Sequence, residues 1–282
     1  MTIKQLQQSA FLRLSSFLGE GEARAVVRLL FEHVTGYNNV DINLNPHTEA
    51  APHSVDAVNN ALNQLLENKP IQYVLGETLF CRLPFIVTDA VLIPRPETEE
   101  LTRWIIEENS QPNKLLDVCT GSGCIAVSLA KNKKKCDVYA VDISGEALKI
   151  AQKNAELNHV NVNFKQCDVL DANFIYSTDI KFDLIVSNPP YVREMEKQYM
   201  HKRVLDYEPH AALFVKNEQP LLFYHSILKF GQTHLADKGK LYFEINEHFG
   251  KEITDLYIKY GYSNISLKQD IHGKDRMVCG EK

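Results

Sequence analysis

The chain has 282 residues, more than one minimal domain needs and enough for a large domain with a smaller companion. Its 44% hydrophobic and 24% charged residues are the balance of an ordinary soluble protein with a buried core. A net charge of −5, from 31 basic and 36 acidic residues, argues against a domain that lives by neutralising phosphates.

The opening MTIKQLQQSAFLRLSSFLGEGEA is amphipathic without a continuous apolar core, and no later stretch has bilayer-spanning length. Neither a secretory signal nor a membrane span is expected. Residues 1–70 read as helices, with apolar positions at three- and four-residue spacing in Ala23, Val26, Val27, Leu30 and Phe31, and again in Val55, Val58, Leu62, Leu65 and Leu66. Asn45-Pro46 breaks the run, and Ser54 is read as the cap of the next helix. With 5 basic and 7 acidic residues, this segment offers no concentrated positive face. It reads as a small helical bundle. From 70 to 93 the texture turns to Tyr, Val, Phe and Ile in QYVLGETLF, LPFIVTD and AVLIP, which predicts a β-hairpin linker over 71–94. Pro94 and Pro96 end it, and ETEELTRWIIEEN restarts a helix.

From Lys114 the rhythm is strand, turn, helix. Strands are expected at KLLDVC, DVYAVD, VNFKQCD, FDLIVSN and KLYFEI, with helices at 124–131, 145–158 and 221–236. That alternation implies an α/β domain over 95–282 with a mostly parallel sheet covered on both faces. NISLKQD and RMVCG add a closing antiparallel pair. The six cysteines form no CxxC pair and have no histidines at ligand spacing beside them, so we expect a reduced, cytoplasmic protein with no bound metal.

The chemistry begins at Leu115-Leu116-Asp117-Val118-Cys119-Thr120-Gly121-Ser122-Gly123, an apolar strand ending in a Gly-x-Gly turn that opens a helix. Glycine there lets the backbone approach a ligand beyond the carboxyl ends of the strands. A well-packed turn would read the same. Asp142 closes the next strand, 21 residues past Gly121, where an acid can accept both hydroxyls of a ribose or cap the following helix. A nicotinamide dinucleotide and a sulfonium methyl donor both carry that ribose. The turn lacks the third glycine of the dinucleotide fingerprint, which favours the methyl donor. Asp168 and Val169, after the third strand, are placed to hold an adenine edge and face, although Asp168 also suits a turn.

Asn188-Pro189-Pro190-Tyr191 follows the strand FDLIVS directly. Two prolines fix φ and remove two backbone donors, leaving carbonyls that can only accept. With the Asn188 side-chain oxygen they form a rigid set of acceptors for the two hydrogens of one NH2 group. Tyr191 supplies a flat face for a planar amide or base. Asn188, Pro189 and Tyr191 are therefore the candidate catalytic residues and, with Pro190, the acceptor site.

This tetrapeptide resembles the signature of class I methyltransferases acting on exocyclic amines and glutamine amides. Val91-Leu92-Ile93-Pro94-Arg95-Pro96-Glu97-Thr98-Glu99 and Gln72-Tyr73-Val74-Leu75-Gly76 narrow the likeness to the bacterial peptide-chain release factor glutamine methyltransferases. The likeness extends to Glu208-Pro209, Ala212-Leu213 and the segment from Asp270 to Arg276, and so covers nearly the whole chain. It implies a Rossmann-like domain with a seven-stranded sheet, S-adenosylmethionine as donor, and N5-methylation of the glutamine in the Gly-Gly-Gln motif of class-1 release factors. By position, Cys119, Thr120, Gly121, Ser122 and Gly123 would line the donor, Asp142 would hold its ribose, Asp168 and Val169 would flank the adenine, and Asn188 would border both substrates. Arg95 and Glu97 would brace the donor site or the domain junction. The implied partner is a protein, met by a monomer, with neither membrane nor direct nucleic-acid binding. Two departures stand out. Cys119 occupies a position that is commonly glycine in the family, which a thiol fits if φ is negative there, and Asn246 follows Glu244-Ile245 where glycine is usual. The alternatives are a ribosomal-protein glutamine methyltransferase, a nucleic-acid adenine-N6 methyltransferase, or a dehydrogenase or nucleotide-binding adapter, neither of which needs Asn-Pro-Pro-Tyr.

Overall fold

The computed structural model describes residues 1–109, 112–171 and 179–282. They form two compact units, one of Met1–Gly76 with His201–Tyr207, the other of Glu77–Met200 with Glu208–Lys282.

The first unit is helical: α1 (Ile3–Leu18), α2 (Glu20–Thr35), α3 (Asn39–Leu44), α4 (Pro52–Leu66) and α5 (Ile71–Leu75), joined by α9 (Lys202–Tyr207). Thr2 and Gln5 form a reciprocal capping box at the start of α1, satisfying two otherwise orphaned N–H groups. The predicted stripe of α2, Ala23 to Phe31, is buried against Leu6, Ala10 and Leu14 of α1 and Val58, Leu62 and Leu65 of α4. The α4 helix begins earlier than a Ser54 cap would place it. Pro52 takes the first turn, where its missing N–H costs nothing, and Ser54 is buried inside the helix. Tyr207 donates to the Glu67 carbonyl at 2.7 Å and Arg203 pairs with Glu22, which ties α9 into this unit.

The second unit starts with the hairpin β1 (Glu77–Phe80) and β2 (Leu83–Ile86). The hairpin is shorter than its sequence texture predicts. QYVL forms α5, closed by Gly76 in the left-handed conformation at φ +74, and AVLIP makes no strand. Then follow α6 (Pro96–Glu108), β3 (Lys114–Val118), α7 (Cys124–Asn132), β4 (Asp137–Asp142), α8 (Gly145–Leu157), β5 (Asn163–Gln166) and β6 (Phe182–Ser187). The chain continues through a short pair, β7 (Val192–Arg193) with β8 (Phe214–Val215), to α10 (Leu222–His234), β9 (Leu235–Glu244), α11 (Gly250–Lys259), β10 (Ser263–Gln269) and β11 (Asp275–Glu281).

Seven strands make one sheet in the order β10-β11-β9-β6-β3-β4-β5. The pairs from β9 to β5 are parallel, and β11 runs antiparallel between β9 and β10. Successive strand residues face opposite sides. Leu116, Val118 and Ile185 join α10 and α11 in one core cluster, while Leu115, Leu184 and Val186 join α6 and α7 in the other. Burial on both faces explains why β3 and β6 are mostly apolar, with Asp117 a buried exception in β3. The chain proceeds from β3 outward to β4 and β5, then returns to β6 on the other side. The carboxyl ends of β3 and β6 therefore flank a topological switch point, where open α/β sheets bind ligands. Ser187 donates to the Val118 carbonyl at 2.6 Å and locks these two ends together.

Candidate active site

The turn after β3 holds three left-handed residues, Cys119 at φ +62, Gly121 at φ +55 and Gly123 at φ +78. The negative φ expected for Cys119 is thus not found. The turn keeps a glycine-like geometry at that position, and the small thiol side chain bears the strain. Thr120 stabilises it from both sides: its N–H donates to the Val141 carbonyl of β4 at 3.0 Å and its hydroxyl donates to Asp117 of β3 at 2.6 Å. The same Asp117 oxygen takes the Ala126 N–H at 3.2 Å, fastening the turn to α7. Burial pushes the Asp117 carboxyl up to about 7.

The two glycines serve different ends. A Cβ on Gly121 would meet nothing within 4 Å, so this position is open and its demand is conformational. A Cβ on Gly123 would sit 3.0 Å from the Ala151 Cβ and 3.2 Å from its Cα, so Gly123 permits α7 and α8 to close together. Gly123→Ala is expected to cost about 2 kcal/mol, from left-handed strain plus overpacking, and to lower Tm by about 4–8 °C in a thermal melt. Cys119→Gly is expected to leave the melt within about 1 kcal/mol of the parent, since relief of strain offsets the added backbone entropy. Cys119→Val, β-branched at positive φ, is expected to lose about 1–3 kcal/mol in the same measurement.

Asp142 ends β4 with both carboxylate oxygens engaged. One accepts from the Gly121 N–H at 2.8 Å, the other from the Ser144 N–H at 2.9 Å. The cap of α8 is Ser144 itself, whose hydroxyl accepts from the Ala147 N–H at 3.1 Å. Asp142 therefore splints the glycine turn to β4, and each oxygen retains a lone pair for a further donor. Burial raises its pKa, while the backbone N–H groups of Ser144, Gly121 and Ile143 oppose the rise. Asp168 makes a turn, accepting from the Leu170 N–H at 2.8 Å, and Val169 beside it is buried.

Cys119, Thr120, Gly121, Ser122, Asp142, Asp168, Val169, Asn188 and Pro190 line one cavity of about 350 Å3 at the switch point. Gly123, Pro189 and Tyr191 lie outside its lining. The cavity's apolar walls and few polar groups are those of a small-molecule site. Its far wall includes Leu92 and Arg95 of the motif before α6, which places Arg95 at the donor site, together with Ala211 and Phe223, whose segments carried no site signal. Arg95 is held there by Glu208 at 2.5 Å, and the other Glu208 oxygen takes the Ile93 N–H at 3.2 Å. Buried Asn154 of α8 ties the glycine turn to β2, accepting from the Ile86 N–H at 2.6 Å and donating to the Ser122 carbonyl at 2.9 Å.

Asn188 leaves β6 with its side-chain NH2 donating to the Thr98 hydroxyl at 3.0 Å. Thr98 donates to one oxygen of Glu244 at 2.6 Å, and the Tyr191 hydroxyl donates to the other at 2.9 Å. Glu244 is 1% exposed, and burial raises its pKa against the pull of those two hydrogen bonds and of Arg276. Asn246, the departure noted above, is buried and bonded: its NH2 reaches Glu196 at 3.1 Å and the Tyr191 carbonyl at 3.3 Å, and its oxygen accepts from the His248 N–H. Among the described residues, no group of three or more His, Cys, Asp or Glu could hold a metal ion, and no helix is long and apolar enough to cross a membrane.

Residues 98–211 match the methyltransferase small domain, and residues 5–76 match the PrmC N-terminal domain. A release factor glutamine methyltransferase of Flavobacterium psychrophilum is 46% identical over 99% of this chain and 98% of that protein. The chain belongs to the release factor glutamine methyltransferase family. A second member, from Bacteroides thetaiotaomicron, is 42% identical over 93% of each protein. The fold is shared with a methyltransferase from Pyrococcus furiosus, at a TM-score of 0.53 and 21% identity, covering 79% of this chain and 98% of that one. The donor for the family is S-adenosylmethionine, and the cavity fits it. Gly121 leaves space, Asp142 keeps acceptor capacity for two hydroxyls, and the remaining wall is largely apolar.

Proposed function

We propose that the chain transfers the methyl group of S-adenosylmethionine to the side-chain amide nitrogen (N5) of the glutamine in the Gly-Gly-Gln motif of class-1 release factors. The observation that carries this reading is that Asn188 and the glycine turn border one cavity at the switch point, so acceptor and donor sites meet there. Membership of the family supports the choice of acceptor.

When bound, the donor supplies an electrophilic methyl on a sulfonium; the rest falls to the chain. An amide nitrogen is a poor nucleophile because its lone pair is delocalised into the carbonyl. The Asn188 oxygen and a backbone carbonyl of the Asn188-Pro189-Pro190 run accept the two N–H hydrogens, favour a more pyramidal nitrogen and stabilise the positive charge that grows on it. Holding that nitrogen in line with the methyl lowers the barrier further. No strong base is required, because the methylated nitrogen sheds its proton readily. In this reading Thr120, Gly121, Ser122, Asp142, Asp168 and Val169 hold the donor, residues 1–70 recognise the substrate protein, residues 71–94 link the two, and 95–282 carry the chemistry. The enzyme works as a cytoplasmic monomer on a protein, not on nucleic acid.

The test is methyl transfer from labelled donor to purified class-1 release factor, with the Gly-Gly-Gln glutamine intact or replaced by alanine. Label on the intact protein alone is expected. Label on both would move the target residue, and label on neither, with donor binding intact, would move the acceptor to another protein.

A further inference from the structure

We propose that Thr98 and Glu244 are positioning residues that fix which end of the Asn188 amide faces the acceptor. The inference rests on the acceptor-binding role given to Asn188 above. An asparagine side chain is nearly symmetric in shape but not in chemistry: one end accepts, the other donates two hydrogens. Turned the wrong way, Asn188 would point an NH2 group at the NH2 group it must hold.

The bonding pattern removes that choice. Glu244, as a carboxylate, can only accept, and it takes a proton from Thr98 on one oxygen and from Tyr191 on the other. A threonine hydroxyl has one proton, and here it is spent on Glu244. Toward Asn188, Thr98 can then only accept, so Asn188 must offer its NH2 at 3.0 Å. The Asn188 oxygen is left over, with no partner among the described residues, on a residue that lines the cavity. The three groups come from separate elements: Thr98 from the first turn of α6, Glu244 from the last residue of β9, and Asn188 from the residue after β6. Thr98 is 3% exposed, so water does not readily substitute for either bond. Burial raises the Glu244 pKa, while the hydrogen bonds from Thr98 and Tyr191 and the charge of Arg276, held by Asp270 at 3.1 Å and by the Ile245 carbonyl at 3.2 Å, favour its carboxylate form.

The experiment compares Thr98→Val, which keeps the shape and removes the hydroxyl, with Thr98→Ser, which keeps the hydroxyl. We expect Thr98→Val to lower kcat for release-factor methylation by about 10- to 100-fold, with the Kd for S-adenosylhomocysteine little changed, and Thr98→Ser to restore most of the rate. Wild-type kcat in Thr98→Val, or failure of Thr98→Ser to rescue it, would overturn the proposal, the second by showing that packing matters and the hydroxyl does not. A measurement on the unsubstituted enzyme stands apart from folding of the variants. The Asn188 side-chain NH2 should exchange its protons with solvent much more slowly in NMR than exposed side-chain amides do, and exchange as fast as theirs would overturn the proposal. If the unsubstituted enzyme fails to label release factors, the acceptor assignment falls, while the amide signals still decide the relay.

Discussion

Asn188→Ala is expected to lower kcat for release-factor methylation by about 10²- to 10³-fold, with donor affinity nearly unchanged. The size follows from what the side chain does. Its oxygen accepts from the acceptor amide most strongly as charge develops on the nitrogen, so its removal raises the barrier more than it weakens binding. The loss is not softened by water, because Pro189 and Pro190 are buried and the end of β6 is locked to β3 through Ser187. Single-turnover rates with saturating donor, set beside the Kd of S-adenosylhomocysteine from calorimetry, separate the two effects. A drop in donor affinity as large as the drop in rate would move Asn188 from the acceptor site to the donor site.

Asp142→Ala is expected to act in the opposite order, weakening donor binding by about 10²-fold or more before it touches the chemical step. Hydrogen bonds to a charged group are worth about 1.5–3 kcal/mol each, and two ribose hydroxyls face this carboxylate in the proposed site. The substitution also strands the Gly121 and Ser144 N–H groups, so the turn loses its splint. Ser144→Ala is the control, costing about 1 kcal/mol of stability as a lost cap while leaving donor affinity in place. In the unsubstituted enzyme, burial holds the Asp142 carboxyl above its ordinary value. Donor affinity should therefore fall on acidification at a higher pH than an exposed aspartate would give. A destabilised Asp142→Ala that binds donor at full strength would make the residue a turn former only.

The sheet was legible because its signals are local. Strands buried on both faces read as apolar runs, and the Gly-x-Gly turn, Asp142 and Asn188 each directly follow or close one. The hairpin was half legible. Tyr73 and Val74 have strand-like side chains, yet Pro70 and left-handed Gly76 bracket a single helical turn instead. In the lower layer of the site the residues stood in quoted motifs, but their pairings were not legible. Thr98 and Glu244 lie 146 positions apart, and Ile86 and Asn154 lie 68 apart. No periodicity or spacing joins such pairs, and only the closed sheet brings them together. Cys119 misled for a different reason: the sequence shows a side chain, and the backbone retained the conformation that glycine would prefer.

The helical unit is interrupted in the chain, since α9 follows β6 in sequence yet belongs with Met1–Gly76. During synthesis the ribosome must therefore deliver β3 to β6, four strands of the seven-stranded sheet, before the helical bundle can receive its final piece. Until then the surface that Tyr207 and Arg203 will occupy stays bare, and a nascent chain stalled at that stage offers chaperones or proteases an unfinished N-terminal unit. A gene fragment cut at Gly76 would inherit the same gap permanently, whereas a permuted chain that begins just before His201 would emerge with α9 already in hand.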